Sequence, residues 1–415
     1  MPEMDSLAYI WERLPLALLF ASGYLAYRLL AVSGLTDWSV RWAVRKSRGA
    51  PRRIVFYVIA VTAFLSAFIP NAITVLAVLP VVTALDREHG RRHPGAPLTT
   101  ALALATMYGA NIGGMASLIG SPANLILLGV LDLYHVPGRE QITFFNWFLW
   151  GVPLAAILVF LGWALIALLA LPRGLGPDPG LGGEPPRFGP LQRMGARLYC
   201  LFLGFWILEA VLKELWPGFA PLETPAALAF FAWFCLESFR GRTLDGRRGP
   251  LLGLRSLFAG LPARGLFWLA VILAVMLAAN SLGLDRSVAG FFAAATSSLD
   301  STLLLALVFA LAAIFLTEIL SNTVVAVALF PVAFFAAQAA GLDPLPLMIA
   351  VSVAATCAFM TPIATMPNAL VYGALRGTSL RAMLVLGCCM NLLGALAMTG
   401  WLCWIIPLLY GRPAG

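Results

Sequence analysis

Two long apolar stretches of this chain are interrupted by polar residues at matching places. In the first, Ser66-Ala67-Phe68-Ile69-Pro70-Asn71-Ala72 breaks the run, and in the second Thr317-Glu318-Ile319-Leu320-Ser321-Asn322-Thr323 does so. Pro80 follows Asn71 by nine residues, and Pro331 follows Asn322 by nine. Each interruption has a partner downstream, Gly120-Ser121-Pro122-Ala123-Asn124 and Ala364-Thr365-Met366-Pro367-Asn368, with a glycine five residues beyond its Asn, at Gly129 and Gly373. Backbone groups released by a break in apolar surroundings have to find partners inside the protein, so such breaks are tolerated only where they are packed or line a cavity. A pair of interrupted hydrophobic segments in corresponding positions of two halves points to the binding site of a transporter.

The surroundings of these breaks are those of a membrane. Hydrophobic residues make up 61% of the 415 positions and charged residues 11%, against about 25% charged in soluble domains. Apolar segments near 20 residues recur throughout, which predicts a polytopic helical protein in a lipid bilayer. The formal net charge of +8 sits in short loops, where it sets topology, and is no sign of a nucleic-acid partner. Glu3, Asp5 and Glu12 replace the basic start of a cleavable signal peptide, so none is expected. Cys200, Cys235, Cys357, Cys388, Cys389 and Cys403 all fall in apolar segments without metal-ligand spacing and read as small hydrophobes. His89, His93 and His135 read as solvated loop residues. With no His in any span, an enzyme is not expected, and no cofactor beyond a coupling ion.

In chain order, Leu14–Val32 reads as a spanning helix. In Asp37–Arg53, Trp38, Trp42 and Val44 alternate with Arg41, Arg45, Lys46 and Arg48, the pattern of a helix lying in the interface. Residues 54–85 are too long for one span and carry Pro70-Asn71 at their centre, which predicts two half-helices forming a re-entrant hairpin. A charged loop, Asp86–His93, follows. Residues 98–131, interrupted by Gly109, Gly113, Gly114, Gly120 and Pro122, read as an unwound helix, and 145–171 as a further span. The Gly/Pro-rich residues 172–193 form a linker. Beyond it come spans near Leu198–Leu215, Thr224–Phe239 and Leu261–Leu282, a basic loop between the last two, and an interfacial helix at Leu284–Ser298. A second hairpin at 302–340, a second unwound helix at 345–375 and a last span at 382–409 complete the chain.

The expected fold class is therefore an all-α polytopic membrane protein of two inverted repeats, each with a re-entrant helical hairpin and an unwound transmembrane helix. The repeats occupy 1–171 and 194–415. If each hairpin returns to its own side, every Lys and Arg except Arg13, Arg139, Lys213, Arg286 and Arg412 falls on one side, the cytoplasmic one, with both termini outside. An inner-membrane, multi-pass protein is expected.

An Asn at a hairpin tip needs partners in a membrane. Its oxygen can coordinate Na⁺, unwound backbone exposes carbonyls to a cation, and half-helix N-termini offer N–H groups to an anion. Glu318, inside the second hairpin, is either a proton carrier or a brace for neighbouring backbone, and the brace is the expected role.

These motifs resemble the divalent anion:sodium symporter family. Ser321-Asn322-Thr323, with Thr317 and Ala364-Thr365-Met366-Pro367-Asn368, is similar to its second repeat, and Ser66, Asn71, Gly113-Gly114 and Gly120–Asn124 are similar to its first. The resemblance covers about Leu14 to Tyr410. It implies an elevator transporter with a scaffold, usually a homodimer, that carries a small di- or tricarboxylate or another divalent anion with Na⁺. It implies Ser66, Asn71 and Gly120 at one sodium site and Thr317, Asn322 and Ala364 at the other. It implies substrate contacts from Asn71, Asn322, Thr323, Thr365, Met366 and Ser121. The first tip departs from the family's Ser-Asn-Thr as Pro70-Asn71-Ala72, Met366 replaces a usual proline, and the first repeat has one scaffold helix where the second has three. An inorganic anion permease of sulfate or arsenite type, or a sodium/proton antiporter, is the alternative reading within the superfamily.

Overall fold

The computed structural model describes residues 6–172, 174–178, 187–244, 247–253 and 301–410. Among these, the helices are α1 (Ser6–Val32), α2 (Leu35–Lys46), α3 (Pro51–Ser66), α4 (Asn71–Arg92), α5 (Thr99–Ala116), α6 (Pro122–Leu133), α7 (Phe144–Leu169), α8 (Pro190–Leu215) and α9 (Ala220–Phe239). After a short antiparallel hairpin, β1 (Gly241–Leu244) and β2 (Arg247–Pro250), come α10 (Thr302–Thr317), α11 (Asn322–Ala339), α12 (Pro344–Ala354), α13 (Met366–Ala374) and α14 (Leu380–Leu409). The span expected at 261–282 and the interfacial helix expected at 284–298 lie outside the described residues. Five described helical segments are long and apolar enough to cross a membrane: Leu14–Val32, Phe144–Leu169, Pro190–Lys213, Asn322–Ala339 and Leu380–Leu409.

Contacts divide the chain into two units, one of residues 1–39, 143–145 and 186–261, the other of 40–142, 146–185 and 262–415. The first unit is built from α1, α8 and α9. Ser22 donates back to Leu18 O at 2.7 Å, and the Trp206 indole donates to Ser22 Oγ at 3.0 Å, so the polar group of each is satisfied within an apolar contact. Phe205 stacks on Phe230 with centroids 3.9 Å apart. Glu209 is buried in α8. The helix starts at Pro190, inside the expected linker, because Gln192 turns back to accept the Gly189 N–H at 3.0 Å.

The second unit holds both interrupted segments. Its centre is two helices apolar all round: α5 is buried from Ala101 to Ala116 and α12 from Leu345 to Ala354. Glycine lets α3 lie directly on α5: a methyl at Gly113 would stand 2.3 Å from Ala63 O and 2.6 Å from Ser66 Cβ. Indole N–H groups close the outer contacts, Trp147 to Met115 O at 2.9 Å and Trp163 to Arg52 O at 2.9 Å.

The charged residues 86–92, expected as a loop, continue α4. Arg92 pairs with Glu88 one turn back at 2.6 Å, and basic residues suit a helix C-terminus. His89 is consequently not a solvated loop residue. It is buried, its Nε2 lies 3.0 Å from Ala96 O, and its ring packs 4.7 Å from that of His93. Asp178 from the linker joins this end, its N–H donating to Gly49 O at 3.1 Å and its carboxylate pairing with Arg92 at 3.1 Å.

Candidate functional site

Each interrupted segment ends one helix on a hydroxyl residue and starts the next on an asparagine. Ser66 closes α3 and Asn71 opens α4, while Thr317 closes α10 and Asn322 opens α11. The Ser66 hydroxyl lies 2.8 Å from Asn71 Oδ1 and 2.7 Å from Ala110 O of α5. The Thr317 hydroxyl lies 2.6 Å from Asn322 Oδ1 and 3.1 Å from Ala355 O. In each triad three oxygens share one hydroxyl proton. Such an excess of acceptors is the donor chemistry of a hard cation such as Na⁺. Gly120 comes close to the first triad: a methyl there would stand 2.7 Å from Gly114 O and 3.1 Å from Ala67 O, and one at Gly114 would stand 3.1 Å from the Asn71 amide. Ala364 lies beside the second tip through the chain of contacts Ala364 N–H to Thr361 Oγ1 at 3.1 Å and Thr361 Oγ1 to Glu318 O at 2.9 Å.

The downstream breaks are equally matched. Residues 117–121 separate α5 from α6, and 355–365 separate α12 from α13. Ser121 caps α6 by accepting the Ala123 N–H at 3.3 Å, and Thr365 caps α13 by accepting the Asn368 N–H at 3.3 Å. Pro122 and Pro367 sit in the first turn of each helix, where the missing N–H costs nothing. Asn124 donates to Gly114 O and Ser117 O at 3.1 and 2.9 Å, while Asn368 donates to Ala358 O and Thr361 O at 2.9 and 2.9 Å. The carbonyls freed by unwinding are thus taken up by an amide seven and ten residues on, in both copies. The Ser117 hydroxyl donates to Ala67 O as Thr361 does to Glu318 O.

The two breaks are tied to each other by side chains that the sequence did not single out. Asn111 of α5 donates to Ala358 O at 2.7 Å and to Asn368 Oδ1 at 3.1 Å, and Ser352 of α12 donates to Asn124 Oδ1 at 3.0 Å. Glu318 behaves as the expected brace. Its Oε1 accepts the N–H groups of Phe359 and Met360 at 2.8 and 2.8 Å and the Asn391 amide at 2.9 Å, and its Oε2 accepts the Thr361 N–H at 2.9 Å.

The two tips are not alike. Phe68 and Ile69 of the first are buried, whereas Ile319 and Leu320 of the second are exposed, as are Ile363 and Met366 in the facing break. Thr323, half-buried in the first turn of α11, keeps a hydroxyl where the first tip has Ala72.

A family model described as a citrate transporter matches residues 3–334. The sodium-dependent dicarboxylate transporter SdcS of Staphylococcus saprophyticus is 29% identical over 378 residues, 86% of this chain and 70% of that protein. The sodium-dependent high-affinity dicarboxylate transporter 3 of Caenorhabditis elegans is 26% identical over 362 residues, 78% of this chain and 62% of that protein. This chain therefore aligns with 62–70% of the length of these relatives. Among solved structures, the Alcanivorax borkumensis YdaH transporter, of unusual topology, matches all of this chain and 91% of its own with a TM-score of 0.58 at 16% identity, a likeness of fold alone. The family match over most of its length, joined to the tip and break motifs, makes the chain a member of the citrate transporter family and of the divalent anion:sodium symporters.

Proposed function

We propose that the chain is a secondary transporter that moves a small di- or tricarboxylate, or another divalent anion, with Na⁺. The observation that carries this reading is the duplicated triad: a hydroxyl, an amide oxygen and a backbone carbonyl sharing one proton, each at the start of a helix. The names of the relatives support dicarboxylate and sodium as cargo. In this reading Ser66, Asn71 and Gly120 hold one Na⁺, and Thr317, Asn322 and Ala364 the other. The anion takes Asn71, Asn322, Thr323, Thr365, Met366 and Ser121, with N–H groups at the helix starts facing its charge. At 16 residues each, α3 and α10 reach about 24 Å, short of a hydrocarbon core of about 30 Å. That shortfall supports hairpins that turn back within the bilayer, and inverted repeats on either side of the linker. The unit holding both tips moves across the bilayer as the elevator, in the inner membrane, and the protein works as a homodimer.

The test is uptake of a panel of labelled anions into proteoliposomes, with and without an inward Na⁺ gradient. Uptake of a di- or tricarboxylate that needs the gradient is the expected result. Uptake that ignores Na⁺ and follows a proton gradient overturns it.

A further inference from the structure

One contact recurs in both halves of the site and belongs to none of the ligand positions. The Ser117 hydroxyl donates to Ala67 O, and the Thr361 hydroxyl donates to Glu318 O. Ala67 and Glu318 are the residues directly after α3 and α10, where helix carbonyls lose their partners within the helix. The hydroxyl that takes each carbonyl comes from the opposite side of the site, at the break. Each also lies on a residue whose own carbonyl is held: Ser117 O accepts from Asn124 and Thr361 O from Asn368, both at 2.9 Å. Those amides stand in the first turns of α6 and α13, beside the caps Ser121 and Thr365. A continuous run of contacts therefore leads from each tip, through one hydroxyl, to a helix start.

From this placement we infer that Ser117 and Thr361 are positioning residues that couple the cation triads to the helix starts facing the anion. The inference rests on the transport reading above. Each triad straddles the same joint. Ser66 and Asn71 come from the tip, but Ala110 O comes from α5; Thr317 and Asn322 come from the tip, but Ala355 O comes from the end of α12. A tip free to shift against its break opens the triad, and a cation that closes the triad draws tip and break together. The hydroxyl holds the joint at the spacing the cation needs, which keeps the ordering cost out of cation binding. By linkage, what binds the cation more tightly also favours the anion on the joined helix start, and the reverse holds equally.

The experiment uses the full-length protein in proteoliposomes, with Ser117→Ala and Thr361→Val, which lack the hydroxyl, and Ser117→Thr and Thr361→Ser, which keep it. Half-saturating Na⁺ is measured at fixed anion, and half-saturating anion at saturating Na⁺. Each hydroxyl-less variant should raise half-saturating Na⁺ about five- to tenfold, with the anion value at saturating Na⁺ near that of the wild type. The hydroxyl-keeping variants should restore the Na⁺ value, which a general packing defect would not predict. If Ser117→Ala does not fold, Thr361→Val and Thr361→Ser carry the comparison. Unchanged Na⁺ dependence in the hydroxyl-less variants, or a rise that Thr361→Ser fails to reverse, overturns the proposal. A wild-type protein whose uptake ignores Na⁺ overturns the transport reading instead.

Discussion

Removing the Glu318 carboxylate tests the second break most directly. Four donors converge on it: three consecutive backbone N–H groups, that of Phe359 buried and those of Met360 and Thr361 part-buried, and the buried Asn391 amide. A buried donor left unmade costs about 1–3 kcal/mol. Glu318→Ala abandons all four, a loss on the order of 2 kcal/mol or more from the two buried donors alone at the lower bound. Glu318→Gln is milder. Its carbonyl can keep the three donors on Oε1, but its NH₂ meets the Thr361 N–H, a loss of about 1.5–3 kcal/mol for one bond to a charged group. The first repeat supplies a control. Ala67 is the residue after α3 as Glu318 is after α10, yet α5 runs helical to Ala116, so the N–H groups of Met115 and Ala116, which correspond to those of Phe359 and Met360, are already engaged within the helix. Ala67→Glu therefore buries a carboxylate without the donor set that meets Glu318 and should destabilise. The assay is thermal unfolding in detergent, with the expected order wild type, then Glu318→Gln, then Glu318→Ala. A Glu318→Ala protein as stable as the wild type would refute the brace, and Ala67→Glu at wild-type stability would refute the asymmetry.

Asn71→Ala and Asn322→Ala should each raise half-saturating Na⁺ about ten- to a hundredfold, the worth of one interaction with a charged partner, read by uptake against Na⁺ concentration. Thr323→Val should weaken anion binding at saturating Na⁺ and leave Na⁺ dependence alone, while Ala72→Thr should tighten a doubly charged carboxylate. If neither changes affinity for any transported anion, the tips do not form the anion site. In a cysteine-free background, single cysteines within 86–93 and 240–253 should be shielded from an impermeant thiol reagent in intact cells and one at Gly341 labelled. The opposite pattern would reverse the orientation.

The tips were legible because their signals are local. Pro70-Asn71 and Ser321-Asn322 break apolar runs at the residues where α4 and α11 begin. The second break was only half legible. Pro367 and Thr365 mark its end, but α12 stops at Ala354, and Ala355-Thr356-Cys357-Ala358-Phe359-Met360 contains no glycine or proline. Ala355 to Ala358 turn on backbone carbonyls, and Phe359 and Met360 stay unwound because Glu318 takes their N–H groups, a tertiary contact that overrides weak local preference. Asn111 and Asn391 left no trace for the same reason. Their partners lie 247 and 73 residues away, and a lone amide in an apolar helix has no local pattern to announce it. The charge density of residues 86–92 reads as a loop in sequence, but a helix C-terminus accepts Arg91 and Arg92 readily, so α4 outruns its apolar stretch.

Within the site the two copies keep step to the residue: five positions from hydroxyl to amide, and seven and ten from each bracing Asn to its carbonyls. Between the tip carbonyl and the clamping hydroxyl they do not, with 50 positions in the first copy and 43 in the second. Most of the surplus is absorbed away from the site, chiefly in α4, which has 22 residues to the 18 of α11, and one residue of it falls between the triad carbonyl, Ala110 or Ala355, and the clamping hydroxyl. Length is thus far freer at the outer ends of the arms than at the joint. That makes the outer turn a place to graft a rigid handle for imaging or purification. An insertion at Gly95, exposed with open space around it, should leave uptake intact, whereas a single residue added between Ser117 and Ser121 should abolish it by throwing every downstream donor out of register.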